Sequence, residues 1–389
     1  MFGIEPSFLY FCRMRVKRVL LLSLVVLLSS CASLSSLSIQ GADELSRRTS
    51  LPTSEDNTVR ILSGGQDFYS SLLKDLSAAR EYVCAEYYSI ENDEVGRALM
   101  DSLASCAGRG VKTHLIYDPY GCTHARNPAT KEFFKKYSER GVNIAAFNPK
   151  MNSLPRDHRK LTVIDGKTAY LGGMNWTEEN ICKVQGAWWT RDLTLRLEGP
   201  VLDDINTCFE RVWNSLAEEK LHYRTQGGTT SSAGSVRLTG ADTYGGQAAP
   251  SPEQLFLSII EGAESEIRLV NAYFIPSARI RRAIRKAADR GVAVHILMGE
   301  GTDLPATLTP LPLRLARQLA RHENIVLHLV PEVFFHAKAL SSDCRTLMTG
   351  SCNLDFLSRH TNLEISLIAR DSTLTSDFNR LFDSQFTSH

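Results

Sequence analysis

"RDHRKLTVIDGKTAYLGGMN" (residues 156–175) and "FFHAKALSSDCRTLMTGSCN" (residues 334–353) carry the same residues at the same offsets. His158, Lys160, Asp165, Gly172 and Asn175 in the first correspond to His336, Lys338, Asp343, Gly350 and Asn353 in the second, and each Asn lies 17 residues after its His. Around them the chain repeats on a larger scale. "AGRGVKTHLIYD" (107–118) matches "ADRGVAVHILMG" (288–299), and the step from Gly110 to His158 is 48 residues against 45 from Gly291 to His336. A motif pair inside an independently detected repeat marks a duplicated domain-sized unit rather than a short solenoid repeat.

Each copy alternates helix with strand. "FYSSLLKDLSAA" (68–79) puts Phe68, Leu72, Leu73 and Leu76 on one helical face. "YVCAEYYSI" (82–90) reads as a strand, "EVGRALMDSLASCAGRG" (94–110) as a helix stopped at Gly110, and "VKTHLIYD" (111–118) as a strand. In the second copy "QLFLSIIEGAESEI" begins with a helix, "IRLVNAYFI" (267–275) and "VAVHILM" (292–298) read as strands, and "ARIRRAIRKAADRG" as a helix ending at Gly291. This alternation predicts α/β layering, a sheet flanked by helices, in each copy. The expected boundaries are a first domain over 58–220, a linker zone over 221–252 rich in small and turn-forming residues, and a second domain over 253–389.

The motif residues suit a phosphodiester. Two lysines and two carboxamides can hold the non-bridging oxygens and stabilise the charge that grows in the transition state. Two histidines on opposite sides of phosphorus divide the rest: one attacks in line, the other protonates the departing alkoxide and then deprotonates the incoming water or alcohol. Their ordinary pKa near neutrality suits both tasks. In H-x-K on a strand the two side chains share a face, and a tight Gly-Gly or Gly-Ser turn lets the Asn approach the same point. A lone His in a strand is usually structural, and His114 and His295 are read so; His124, His222 and His360 lack motif support.

At these residues the chain resembles the phospholipase D superfamily, defined by two H-x-K-x4-D motifs, from about residue 59 to the C-terminus. It is most similar to the bacterial cardiolipin synthase branch, through "RDHRKLTVIDGKTAYLGGMN", "RDLTLRLEGP" (191–200), "NAYFIPSARI" and "FFHAKALSSD…GSCNLDFLSRHTNLEI". The resemblance implies two phospholipase D-like α/β domains related by a pseudo-twofold, one active site at their interface, no metal or other cofactor, and a phosphohistidine intermediate. It implies His158 as nucleophile and His336 as acid/base, with the reverse open because the duplication makes the roles nearly symmetric. Lys160, Asn175, Lys338 and Asn353 become the phosphate-binding set. Each histidine is expected to be oriented by an acid downstream of it: Asp192 after His158, Glu364 after His336. Asp165 and Asp343 complete the catalytic motifs, with a turn or salt-bridge contact as their preferred role. Two departures from the family pattern are Cys344, where a glycine is common, and Gly173, where a serine is usual.

Termini and composition bound the setting. Arg13, Arg15, Lys17 and Arg18 precede "VLLLSLVVLL" (19–28), too short for a spanning helix of about 20 apolar residues. It ends in Leu28-Ser29-Ser30-Cys31, which resembles a lipobox with Cys31 as lipidation site, and translation from Met14 would fit such a signal better than from Met1. Residues 1–31 are therefore expected to be a signal and the Ser-rich stretch 32–57 a polar tether, placing the protein at a membrane surface of the bacterial envelope, where buried lipid methylenes add about 0.8 kcal/mol each. Without residues 1–31 the chain has 40 basic and 42 acidic residues, a formal charge of −2. That is no footprint for long nucleic acid, so a nuclease of the superfamily is the alternative and a non-catalytic envelope lipoprotein a third reading. Phospholipid is the expected substrate. No oligomer is required, because both half-sites lie in one chain.

Other features read as packing. Seven cysteines remain beyond Cys31, none with zinc spacing, and Cys84 and Cys352 are expected as buried thiols. "ATLTPLPLRLARQLARH" (306–322) reads as an amphipathic core helix before a lipid-facing lip. Trp176, Trp188 and Trp189 fit packing or an entrance equally.

Overall fold

A computed structural model of the chain describes residues 53–122, 128–147, 156–181, 189–223, 236–243 and 251–387. In the first lobe β1 (Thr53–Ser63), α1 (Gly65–Ala78), β2 (Tyr82–Tyr87), α2 (Glu94–Gly108), β3 (Lys112–Tyr117), α3 (Pro128–Ser138) and β4 (Asn143–Ala146) precede the motif strands β5 (Lys160–Ile164) and β6 (Thr168–Gly172). Then come α4 (Glu178–Ile181), β7 (Trp189–Arg191), β8 (Leu193–Glu198) and α5 (Val201–Leu216). The second lobe repeats the plan with β9 (Val236–Thr243), α6 (Pro252–Gly262), β10 (Glu266–Asn271), α7 (Ala278–Asp289), β11 (Ala293–Gly299), α8 (Pro310–Leu319) and β12 (Ile325–Val330). It closes with β13 (Val333–Phe335), β14 (Lys338–Ser342), β15 (Thr346–Gly350), α9 (Phe356–His360), β16 (Glu364–Arg370) and α10 (Ser372–Thr387).

Strand order reveals the symmetry. One 14-stranded sheet runs β12-β11-β10-β14-β15-β16-β9-β1-β8-β6-β5-β2-β3-β4. Read from either end the plan is the same, so the pseudo-twofold passes between β9 and β1. β2, β3 and β4 are parallel, as are β10, β11 and β12, while the motif hairpins β5–β6 and β14–β15 are antiparallel. One face packs on α5 and α10 through a core shared by both lobes, including Leu161, Leu195, Phe209, Ala339, Ile365 and Phe378. The opposite face has a separate core in each lobe, under α1 and α2 in the first and under α6 and α7 in the second.

Two expected boundaries are corrected. The tether does not extend to residue 57, because β1 begins at Thr53 and pairs with both β8 and β9. The zone over 221–252 is not all linker either: β9 lies inside it and pairs with all seven residues of β16. "VRLTGADT" alternates only over Val236–Thr239 before Gly240, Ala241, Asp242 and Thr243 break the pattern, so its long-range partners make it a strand. Asn57 pins this junction. It is fully buried, its Nδ2 donates to the Ser54 and Val236 carbonyls at 3.2 and 3.1 Å, and its Oδ1 accepts from Val201 N at 2.9 Å.

Several smaller expectations meet their structural counterparts here. Leu315 and Leu319 of α8 are buried, as in a core helix. Trp176 is buried against Tyr87, 4.4 Å between ring centroids, and lines no entrance. Cys84 and Cys352 are buried free thiols. His114 bonds the Tyr223 hydroxyl at 2.9 Å and is pushed down to about 4 by burial. The signal, Cys31, Cys182 and the Trp188 and Trp189 side chains lie outside the described residues.

Candidate active site

The two motifs meet where the lobes join. A parallel bridge pairs Asp157 with Leu363, and β13 runs parallel to β7. Through these contacts His158 N donates to Leu363 O at 3.0 Å, and His336 N donates to Arg191 O at 2.7 Å. Leu363 and Arg191 immediately precede Glu364 and Asp192. Each acid is thereby delivered to the histidine of the other lobe.

The side chains complete the exchange. His158 Nδ1 lies 3.0 and 3.1 Å from the Glu364 oxygens, and His336 Nδ1 lies 2.6 Å from Asp192 Oδ2. This corrects the expectation that each acid serves the histidine upstream of it in sequence. Backbone pairing between lobes, not distance along the chain, sets the partners. With Nδ1 occupied by a carboxylate, Nε2 of each ring is the atom left for chemistry.

All four motif bases are buried, with His158 at 8% and His336 at 6% exposure. Burial lowers the pKa of His158 well below its ordinary value, and the nearby Lys160, Lys338 and His336 push it the same way. That His336 and Lys338 act on His158 puts the second lobe's bases beside the first lobe's. Burial also lowers His336 and Lys338, and pushes Lys160 down to about 7. Lys160 Nζ donates to His158 O at 2.5 Å, and Lys338 Nζ makes the same bond to His336 O. Tyr88 lies edge-on to the His158 ring at 5.0 Å with Lys160 over its face.

The glycines let the asparagines in. A Cβ on Gly172 would come within 2.4 Å of Leu193 O, and one on Gly350 within 2.2 Å of Ile365 O, so the adjacent strand requires glycine at both. Beyond each turn stand Asn175 and Asn353, both buried. Asn175 Oδ1 accepts from Ser89 N at 3.2 Å, which turns its amide nitrogen into the remaining polar group.

The two acids are not equivalent. Glu364 accepts from the Ser351 hydroxyl at 2.5 Å, the Ser358 hydroxyl at 2.6 Å and Asn362 Nδ2 at 3.4 Å. Burial pushes its pKa up to about 7, against the lowering by Lys160 and these donors. Asp192 is opposed by burial but held below the usual carboxylate range by Lys338 and His336. At the position of Ser351 the first lobe has Gly173, where a Cβ would meet Asp192 Oδ1 at 2.4 Å. The usual serine is thus replaced because the carboxylate occupies its place. Ser351 and Ser358 were not singled out from sequence; only their offsets from His336 could have flagged Ser351.

The motif aspartates stand elsewhere. Asp165 accepts from the backbone N–H of Arg80, Glu81 and Tyr82 at 2.8–3.0 Å. Asp343 accepts from those of Glu264, Ser265 and Glu266 at 2.7–3.1 Å. Both sit at positive φ in the hairpin turns and tie those turns to the start of β2 and β10. Each makes the turn contact expected as its preferred role. Among the described residues no group of three or more His, Cys, Asp or Glu is arranged to hold a metal ion.

Comparison with known proteins agrees with this geometry. A family model described as "Cardiolipin synthase, PLD-like domain" matches residues 72–213 and 256–386. The chain is 27% identical over 329 residues to the probable cardiolipin synthase YwiE of Bacillus subtilis, covering 81% of this chain and 63% of that protein. It is 28% identical to cardiolipin synthase B of Shigella flexneri, covering 82% of this chain and 77% of that one. The solved phosphatidylserine synthase of Haemophilus influenzae superposes with a TM-score of 0.66 at 12% identity, over 87% of this chain and 89% of that chain. That likeness is one of fold.

Proposed function

Because the chain belongs to the PLD-like domain family of cardiolipin synthases, we propose that it transfers or hydrolyses phosphatidyl groups of glycerophospholipids through a phosphohistidine. The observation that carries this reading is the pair of imidazoles from opposite lobes, each with its Nδ1 on a carboxylate of the other lobe. His158 is the nucleophile. Its lowered pKa keeps it neutral, and its Nε2 lone pair forms the P–N bond as the bond from phosphorus to the leaving alcohol breaks. Asp192, the more firmly ionised acid, offsets the burial that lowers the pKa of His336 and favours its imidazolium form, which gives its Nε2 proton to that alcohol. It then takes a proton from water or a second alcohol as the new P–O bond forms and P–N breaks. Lys160, Lys338, Asn175 and Asn353 hold the non-bridging oxygens. The chemistry calls for no metal, so activity in EDTA is expected to equal that without it.

The test is incubation of purified protein with labelled phosphatidylglycerol, phosphatidylcholine and single-stranded DNA. Lipid products are expected, cardiolipin marking transfer and phosphatidic acid marking hydrolysis; cleavage of DNA alone overturns the lipid reading. His158→Ala and His336→Ala should each lower turnover at least about a thousandfold with an unchanged melting temperature. With an activated ester that needs no leaving-group proton, His336→Ala should still form the labelled protein and His158→Ala should not. Anchoring through Cys31 belongs to the same proposal: labelled palmitate should enter the wild-type protein and not Cys31→Ser.

A further inference from the structure

The duplication leaves one place unfilled. In the first lobe, Arg159 between His158 and Lys160 is fully buried, with its guanidinium 2.5 Å from Glu86 Oε1 and 3.5 Å from Asp157 Oδ1. It fills the space between the sheet and α5, where its NH1 reaches Cys208 O at 3.5 Å. Strand register makes Ala337, Val270 and Phe335 the second lobe's counterparts of Arg159, Glu86 and Asp157. There the same space, between the sheet and α10, is a cavity of about 290 Å³ lined by those three with Leu297, Phe378 and Phe382. The large buried cation of one lobe thus corresponds to an apolar hollow in the other.

The hollow has one charged group suited to a ligand. Arg191 lines it and is half-buried. Its guanidinium donates to the Gln385 amide oxygen, and among the described residues no carboxylate pairs with it. The carboxylate of neighbouring Asp192 is already bonded to His336. A cation without an acid partner at an apolar cavity is costly unless an anion joins it. Arg191 therefore selects for a negative head, and the apolar walls for a hydrocarbon tail.

We infer that this cavity, walled by the second lobe and by Ser63, Gly64 and residues 190–193 of the first, and lying behind the His336–Asp192 pair, binds a single-chain anionic amphiphile, its acyl tail among Val270, Leu297, Ala337 and Phe382 and its carboxylate or phosphate head on Arg191. Its size suits the tail. A methylene takes up about as much space as a water's share of liquid volume, about 30 Å³, so about ten fit. The volume lies near the lower end of the roughly 300–1,000 Å³ of ligand cavities.

Calorimetric titration of the full protein below the micelle concentration tests this, with hexanoate, octanoate, decanoate, decyl phosphate, decanol and inorganic phosphate as probes. One saturable site is expected for decanoate or decyl phosphate, and the tighter of the two identifies the head. From hexanoate to decanoate, affinity should rise about fourfold per methylene. Decanol and inorganic phosphate should bind at least about tenfold more weakly, as should decanoate to Arg191→Gln. Leu381→Trp, which adds bulk from α10, should abolish binding; if it fails to melt cooperatively, Ala337→Leu replaces it. Absence of a saturable site overturns the proposal. So does binding that neither Arg191→Gln nor the filling variant weakens.

Discussion

The carboxylates behind the histidines decide how the two rings differ. Glu364, with its pKa pushed up to about 7 by burial, is braced by two serine hydroxyls, whereas Asp192, held ionised by Lys338 and His336, has among the described residues Leu193 N and its histidine. Replacing either carboxylate by its amide, Asp192→Asn or Glu364→Gln, should lower kcat by about 10²–10⁴, because the ring loses its fixed tautomer and orientation. The crossing is checked by imidazole nitrogen resonances: Glu364→Gln should shift those of His158 and spare those of His336, and an effect on the wrong ring contradicts the pairing. Lys160 offers a second measurement. Its pKa, pushed down to about 7 by burial, rises when an anion binds beside it, so sulfate, which has no proton of its own to lose, should bind with proton uptake between about pH 7 and 8. Calorimetry in buffers of different ionisation enthalpy reads this directly, and Lys160→Arg should remove most of the uptake.

The hairpin β5–β6 and its counterpart β14–β15 show why a motif residue need not touch substrate. Asp165 and Asp343 share the histidine motif only because the turn that follows each H-x-K strand must be tied to the next strand of the sheet. Asp165→Ala leaves three backbone amides without their acceptor and should cost about 1–3 kcal/mol, measured by urea unfolding, while kcat changes less than about tenfold. A loss of activity as large as for His158→Ala, with stability intact, contradicts the turn role. The histidine spacing was legible in the sequence because it lies within one hairpin, where period-two alternation and short offsets hold. β9 was not, since its polar residues become a strand only between β1 and β16.

Joined through β1 and β9, the lobes share a sheet and the core on its helix α5 and α10 face. Neither can separate without exposing that core and unpairing its site, since the bonds of His158 to Glu364 and of His336 to Asp192 both cross between lobes. Calorimetry should therefore record one cooperative unfolding transition. Two resolved transitions contradict this, whatever the midpoint. Asn57→Ala, which removes the buried link among β1, β9 and α5, should lower stability by about 2–3 kcal/mol without altering the histidine site.

From the chain alone came the duplication, the α/β layering and the two sets of motif residues that the fold brings together, because each rests on short offsets and local periodicity that any folded context preserves. The partner of each histidine came from the fold: Glu364 lies 206 residues from His158, and Asp192 lies 144 from His336. Such pairs form only after the sheet brings the two lobes edge to edge, and the register of that contact is a property of backbone hydrogen bonds rather than of residue spacing. The hollow opposite Arg159 arose in the same way, from a single small residue whose effect depends on what packs across from it.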